Sequence, residues 1–204
     1  MPRFFRGLVV ACLGLLFVAD VACADLLTAE EKQQGFRSLF NGTDFAGWRF
    51  VGKEPEIKEA PNWKVADGVI QLSGGGSPHL STDREYADFE MRFEWRGVKD
   101  RYNSGFYIRS GAKLGANQIN LAKGAEGKFM AKVQGGDAVP QLQKPSGEWN
   151  EWRVVVEGDR VVFFCNGKQA WEATGLKPAQ GYIGLQAEGA ALEFRNLRVR
   201  EIKK

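Results

Sequence analysis

Apolar and polar residues alternate strictly along one stretch near the middle of the chain. Four large apolar residues alternate there with four charged ones, in the order Phe89, Glu90, Met91, Arg92, Phe93, Glu94, Trp95 and Arg96. A period of two residues predicts a β-strand with one apolar face and one charged face.

Two shorter runs with the same period follow this strand. In the run that begins at Asn103, apolar residues alternate with Tyr107 and Arg109, and in the next run they alternate with Gln118 and Asn120. If the three strands share a sheet, its polar face combines charges, amides and an aromatic ring. That mixture suits a sugar, which has many hydroxyls and apolar ring faces, although an ordinary solvated sheet face gives the same pattern.

The rest of the chain repeats short apolar runs separated by turn residues, as at Asp67-Gly68 and Asn166-Gly167. Residues 25–36 are the one plausible helix, with a capping-box start at Thr28 and an end near Gly35. At least ten short strands with close turns predict an all-β fold of two packed antiparallel sheets.

Composition supports one all-β domain and argues against nucleic acid as a partner. The chain has 204 residues, enough for a single domain with a sizeable core. Its 28 basic and 25 acidic residues leave a net charge of only +3. The 25 glycines, 14 phenylalanines and 6 tryptophans fit many turns and an aromatic sandwich core.

The chain begins with a pattern typical of export. A basic start, an apolar run over residues 7–19 and small residues around Cys23 predict a signal peptide at residues 1–24. The domain then covers residues 25–204, in the periplasm or outside the cell and without a membrane span. The alternative is a lipoprotein anchored at Cys23, which Asp20, three residues earlier, disfavours.

The candidates for metal or nucleophilic chemistry are few. His79 is the only histidine, and beside a glycine-rich loop it fits an exposed residue better than a catalytic one. Cys165 lies in an apolar run and is expected to be a buried small residue. Because no His/Cys cluster occurs, the sequence predicts neither a cofactor nor a metal site, and it leaves a divalent metal open.

Short motifs in a fixed order make the chain resemble the 3-keto-disaccharide hydrolase family over nearly all of residues 25–204. The motifs that carry the resemblance are Ser38-Leu39-Phe40-Asn41-Gly42, Gly47-Trp48, Trp63-Lys64-Val65, Tyr86-Ala87-Asp88-Phe89-Glu90, Glu94-Trp95-Arg96, Asn103-Ser104-Gly105-Phe106-Tyr107-Ile108-Arg109, Glu148-Trp149-Asn150, Gly181-Tyr182-Ile183-Gly184-Leu185-Gln186 and Phe194-Arg195-Asn196-Leu197.

The resemblance implies a concanavalin-like jelly-roll sandwich with a concave sugar-binding face. Family members act on glycosides already oxidised at the sugar 3-position, so the implied partner is an oxidised monosaccharide, disaccharide or glycoside. The ketone acidifies the neighbouring C2 hydrogen, a base removes it, the C1 group leaves and water then adds. Such a site needs a base, a donor for the enolate oxygen and hydrogen bonds to the ring.

The resemblance also suggests roles for individual residues. Many members carry Glu-x-Gln where this chain has Gln118 and Asn120, which are expected to bind ring hydroxyls. Arg109 is expected to bind the keto or enolate oxygen, and Glu94 or Glu90 is the candidate base. The remaining candidate substrate-binding residues are Asn103, Tyr107 and Trp48.

Two other functions fit the same residues. A noncatalytic, lectin-like carbohydrate-binding module would use the amides of Gln118 and Asn120. Ordinary glycoside hydrolysis would use Glu90 and Glu94 as a pair, but on an unbent strand their Cα atoms lie about 13 Å apart. Retaining enzymes hold the two carboxyl groups about 5 Å apart, so this third function is disfavoured.

Overall fold

The computed structural model describes residues 27–52, 57 and 59–203, and the regular secondary structure of this part of the chain is almost entirely β-strand. The predicted signal peptide at residues 1–24 and the alternative anchor at Cys23 lie outside it. Within the described residues, no helix has the length and apolar character needed to cross a membrane.

The regular secondary structure of the described residues consists of fourteen strands, a short α-helix and a short 3-10 helix. The α-helix α1 is Ala29–Gln33 and the 3-10 helix is Pro140–Leu142. The strands β1 to β14 are, in chain order, Arg37–Ser38, Trp48–Val51, Trp63–Ala66, Val69–Leu72, His79–Tyr86, Phe89–Gly97, Gly105–Ser110, Gln118–Asn120, Phe129–Met130, Asn150–Glu157, Arg160–Cys165, Lys168–Ala173, Gly181–Leu185 and Leu192–Glu201.

The strands form two antiparallel sheets that pack face to face. The large sheet has eight strands in the order β12-β11-β10-β6-β14-β4-β3, with β1 also paired to β14. The small sheet has six strands in the order β2-β5-β13-β7-β8-β9. The core lies between them, where the rings of Phe93 from β6 and Phe106 from β7 are 4.6 Å apart. The predicted all-β sandwich is therefore confirmed.

The strand predicted from the alternating stretch is confirmed, but its expected neighbours are wrong. Phe89, Met91, Phe93 and Trp95 are fully buried in the core. Strand β6 nevertheless lies in the large sheet, whereas β7 and β8 lie in the small one. The charged face of β6 fits β14, because Glu94 there pairs with Arg195 across the two strands.

The N-terminal helix is shorter than the predicted span 25–36. The capping box is present, since the side chains of Thr28 and Glu31 each accept a hydrogen bond from the other's backbone N–H. Gly35, with φ of 82°, ends the helix, and the following N–H bonds back to the carbonyl of Glu31. This is the Schellman arrangement, in which glycine accepts a left-handed backbone without strain.

Candidate functional site

The candidate polar residues that lie close to one another are on the outer face of the six-stranded sheet. We call this surface the small-sheet face. Directly paired residues project from the same side of a sheet. One row of such partners runs across β5, β13, β7, β8 and β9 through Ser81, Gly184, Tyr107, Gln118 and Met130. Phe106 and Ile119, on alternate positions, are fully buried in the core.

The side chain of Gln118 extends on this face from β8 over β7 to the end of β13. Its Nε2 donates to Oε1 of Gln186 at 2.9 Å, beyond the end of β13. To reach that far, its side chain lies over Gly105 of β7, where an added Cβ would be 2.1 Å from Nε2. Asn120 pairs with the same glycine and is half-buried. The missing side chain at Gly105 therefore makes room for the two amides.

A small apolar cluster bounds the other end of the row. Leu114, from the loop between β7 and β8, folds back over the face and packs with Val51, Tyr107 and Tyr182. A Cβ on Gly184 would lie 2.3 Å from Leu114 Cδ1, so this glycine admits the leucine. The loop thus forms a wall beside the Tyr107 ring.

His79, the first residue of β5, also lies at this face. The sequence-based expectation of an exposed residue is therefore wrong. His79 is half-buried, and its Nδ1 accepts a hydrogen bond from the backbone N–H of Ala187 at 3.0 Å. Burial lowers its pKa, although the charge of Glu188 acts in the opposite direction. The imidazole is therefore neutral at pH 7, with Nδ1 accepting and Nε2 assigned the proton.

Tyr107 and Glu188 complete the polar groups beside His79. The rings of His79 and Tyr107 are 6.0 Å apart. Burial, helped by the negative charge of Glu188, raises the pKa of Tyr107 to about 12, so its hydroxyl stays protonated. Glu188 is half-buried and has no hydrogen bond or ion pair with another described residue. One free carboxylate therefore lies near two hydrogen-bond donors.

Arg109 does not lie on this face. The alternation along β7 predicts that its side chain points outward, as that of Tyr107 does. Its φ of 41° instead marks a bulge in β7 that turns the side chain into the sandwich. The guanidinium is fully buried and donates to the carbonyls of Ala87 and Gly158 at 2.7 and 2.5 Å and to Asp88 Oδ1 at 2.6 Å. These contacts give Arg109 a structural role, so we do not include it in the site.

Glu90 lies on the outer face of the eight-stranded sheet, called the large-sheet face below. It is fully buried beneath Arg92, Arg153 and Arg200, which donate to its two oxygens at 2.6–3.0 Å. Burial tends to raise the pKa of Glu90, but the hydrogen bonds from the three arginines together hold it below its usual value. The carboxylate is already neutralised and has no access to a substrate.

Two of the remaining candidates, Glu94 and Trp48, do not lie on the small-sheet face. Glu94 shares the large-sheet face and accepts from Arg195 and Asn196 at 2.8 and 2.5 Å. Trp48 belongs to the core and donates from Nε1 to the Leu39 carbonyl at 2.6 Å. Asn103 lines a cleft of about 640 Å³ next to the chain segment that follows Glu188.

The structure thus brings together Tyr107, Gln118 and Asn120, and it adds three residues. The sequence predicts an exposed His79, and it does not indicate Gln186 or Glu188 as site residues. The alternation of Tyr182, Gly184 and Gln186 could have indicated an outward face for β13. Its position beside β7 depends on strand order, which periodicity does not encode.

No group of three or more His, Cys, Asp or Glu side chains that could hold a metal ion occurs among the residues described. The polar groups of the small-sheet face instead include the carboxylate of Glu188, the neutral imidazole of His79, the phenols of Tyr107 and Tyr182, the guanidinium of Arg49 and several amides. These can accept one proton, donate hydrogen bonds to an oxygen that gains charge, and bind hydroxyl groups.

The architecture is the antiparallel jelly-roll sandwich found in carbohydrate-active proteins. The chain belongs to the family of 3-keto-alpha-glucoside-1,2-lyase-like domains, whose model matches residues 35–200. It is similar to the 3-keto-disaccharide hydrolase of Bacteroides thetaiotaomicron, at 24% identity over 86% of this chain and 81% of that protein.

Two solved structures show the same fold at lower similarity. A Parabacteroides distasonis protein, named only as a proposed glycosyl hydrolase, superposes with a TM-score of 0.68 at 23% identity, covering 88% of this chain and 99% of its own. The carbohydrate-binding module CBM66 from Bacillus subtilis superposes with a TM-score of 0.60 at 17% identity, covering 76% of this chain and 96% of its own.

Proposed function

We propose that this protein cleaves glycosides oxidised at the sugar 3-position, by elimination followed by hydration. Family membership supports the substrate class. The observation that carries the proposal is the group of His79, Tyr107 and Glu188 on the small-sheet face. It combines a carboxylate without a partner and two neutral donors, which are the groups that proton removal beside a ketone requires.

In this mechanism Glu188 is the base. It takes the hydrogen from sugar C2, whose acidity the ketone at C3 increases. The electrons of that C–H bond move towards the ketone oxygen, where His79 Nε2–H and the Tyr107 hydroxyl donate hydrogen bonds to the developing charge. The C1–O bond then breaks, its electron pair leaves with the oxygen, and a C1–C2 double bond conjugated to the ketone remains.

Hydration reverses the proton transfer. Water adds its oxygen to C1 and loses one proton, which balances the proton taken up by the departed alkoxide. The carboxyl group of Glu188 returns a proton to C2, so that the sum of the two stages is hydrolysis. Gln118, Gln186 and Asn120 supply hydrogen bonds to ring hydroxyls. Because Glu188 acts as the base, the chain does not need the glutamate that many family members have at the position of Gln118.

Deuterium incorporation tests this chemistry directly. Purified protein is incubated in D₂O with 3-keto-trehalose and with 3-keto-glucosides of both anomers, with and without added divalent metal. The carboxyl proton of Glu188 exchanges with D₂O before hydration, so elimination and hydration place one deuterium at C2 of the released 3-keto-glucose, above the slow exchange seen without protein. Release without C2 deuterium contradicts the mechanism, and no release under any condition contradicts the enzymatic function.

The second candidate function is a noncatalytic carbohydrate-binding module. It is favoured by the amides of Gln118 and Gln186, which are already oriented by their mutual hydrogen bond. Under this alternative the protein binds unoxidised and oxidised sugars alike and turns over neither. Titration calorimetry with both forms, run beside the turnover assay, separates the two functions.

Export remains a prediction from residues 1–24. N-terminal sequencing of the protein recovered from the periplasm or medium should find a start at Asp25. Recovery of the protein in the membrane fraction with a lipid on Cys23 would favour the anchored alternative.

A further inference from the structure

A cleft continues from the small-sheet face at the edge of the sheet. Gln118 pairs with Tyr107 on one side and with Met130 on the other, so the three side chains project in the same direction. Met130 lines a cleft of about 690 Å³ beyond β8. Two strand spacings, about 10 Å, separate Tyr107 from Met130.

This cleft is basic and partly apolar. Lys128, Lys132 and Lys177 line it together with Phe129 and Met130, and no Asp or Glu does so among the described residues. None of these lysines forms an ion pair with another described residue. We call it the lysine cleft. Three positive charges without partners repel one another and attract an anion that enters between them.

Met130 supplies a second, independent feature of the lysine cleft. Its side chain is 52% exposed, whereas most large apolar side chains of the described chain are buried. An exposed thioether beside the cations offers a soft apolar surface on which an aromatic ring or a sugar ring can pack. The cleft therefore combines a contact for a ring with contacts for a negative charge.

We propose that the lysine cleft binds the leaving group of the substrate and selects leaving groups that carry an anionic substituent. This inference rests on the proposed function, because the ketosugar must occupy the region between His79 and Tyr107. From there a glycosidic bond directed along the row crosses Gln118, and the second ring of the substrate reaches Met130 and the three lysines.

The test compares two leaving groups of nearly equal shape and different charge. The 4-carboxyphenyl and 4-carbamoylphenyl 3-keto-glucosides, of both anomers, are assayed at low and high ionic strength. The wild type should favour the carboxylate in kcat/KM, and salt should reduce the preference. Each of Lys128→Gln, Lys132→Gln and Lys177→Gln should lower the preference about two- to fivefold. Lys168→Gln, an exposed lysine at the start of β12, is the matched control.

A binding measurement keeps this inference separate from the proposed function. The unoxidised 4-carboxyphenyl and 4-carbamoylphenyl glucosides are titrated into protein labelled at its methionine methyl groups, and the Met130 signal is identified with Met130→Leu. The carboxylate ligand should shift this signal at a lower concentration than the amide. If that occurs without turnover of the keto forms, the inference stands and the proposed chemistry fails. Turnover with equal kcat/KM for the two leaving groups, or equal Met130 shifts, overturns the inference.

Discussion

The two outer faces of the sandwich carry different kinds of polar chemistry. On the large-sheet face, carboxylates are matched with cations: Glu90 has three arginines, and Glu94 has Arg195 and Asn196. The guanidinium groups of Arg96 and Arg195 both stack on the Trp149 ring, with their carbons 4.6 and 4.0 Å from its centroid. On the small-sheet face, by contrast, the carboxylate of Glu188 has no hydrogen-bond or ion-pair partner among the described residues.

This difference in pairing indicates which polar residues have a structural role and which are candidates for function. A buried carboxylate that is already paired and hydrogen-bonded stabilises its neighbours and has no capacity left for a ligand. A half-buried carboxylate without a partner costs free energy, and it is therefore the better candidate for chemistry. The following four predictions test this contrast, from the largest expected effect to the smallest.

Replacing the unpaired carboxylate should have the largest effect. Glu188→Gln removes the proposed base, and we expect kcat on 3-keto-glucosides to fall about 10²- to 10⁴-fold. The melting temperature should not fall, because no contact of the carboxylate is lost. Glu148→Gln, at an exposed turn position, is the matched control and should retain full turnover. Full turnover by Glu188→Gln would show that another group is the base.

Replacing the paired carboxylate should change stability instead of turnover. Glu90→Gln leaves three arginines without their common anion, and we expect a loss of about 3–5 kcal/mol in the free energy of unfolding. Urea titration of the wild type and the variant measures it. Turnover per folded molecule should be unchanged. A selective loss of turnover with normal stability would return Glu90 to the active site.

Removing one donor from the small-sheet face should have an intermediate effect. Tyr107→Phe deletes the hydroxyl that is proposed to stabilise the enolate oxygen, and we expect kcat to fall about 100-fold. The ring still packs against Leu114, so folding should be retained. Tyr182→Phe, in the same apolar cluster, is the control. Equal kcat values for the two variants would contradict the role of Tyr107.

The smallest expected effect concerns stability in mildly acidic solution. Burial lowers the pKa of His79 below 6.5, its value in the unfolded chain, so the unfolded chain binds more protons as the pH falls from 6.5. Protonation also removes the Nδ1 acceptor of the Ala187 N–H. The free energy of unfolding of the wild type should therefore decrease between pH 6.5 and the lowered pKa.

His79→Gln should lack this decrease. The pKa of Glu90 lies below 4.5, so that carboxylate titrates in a separate, more acidic range and does not obscure the comparison. Thermal unfolding of the two proteins over the range from pH 7 to pH 5 measures the difference. Parallel curves would show that His79 is not responsible.

Local sequence patterns were sufficient for the strands but not for their arrangement. The alternation in β6, the capping box of α1 and the turn at Asp67-Gly68 depend on residues close together in the chain, and each is found in the structure. The assignment of β6 to one sheet and of β7 and β8 to the other depends on contacts between distant segments. A period of two gives each strand two faces without identifying its neighbours.

The same limit explains the outcome at the site. Tyr107, Gln118 and Asn120 follow the alternation and lie on one face, as expected. Arg109 departs from it because its left-handed backbone bulge reverses the direction of the side chain, and a non-glycine residue with positive φ is not apparent from the sequence. His79 and Glu188 reach the face only because β5 and β13 are adjacent in the small sheet.

The buried guanidinium of Arg109 joins the turn before β6, the turn between β10 and β11, and strand β7. One side chain with a permanent charge therefore joins both layers directly behind the lysine cleft, where Asn117 donates to the carbonyls of Arg109 and Lys177. For protein engineering, Arg109 and its acceptors are therefore positions to keep, and the exposed residues that line the cleft are positions to vary. Libraries that vary the loop at residues 111–116 and the three cleft lysines can explore new leaving groups, provided that Arg109, its three acceptors and Asn117 are kept.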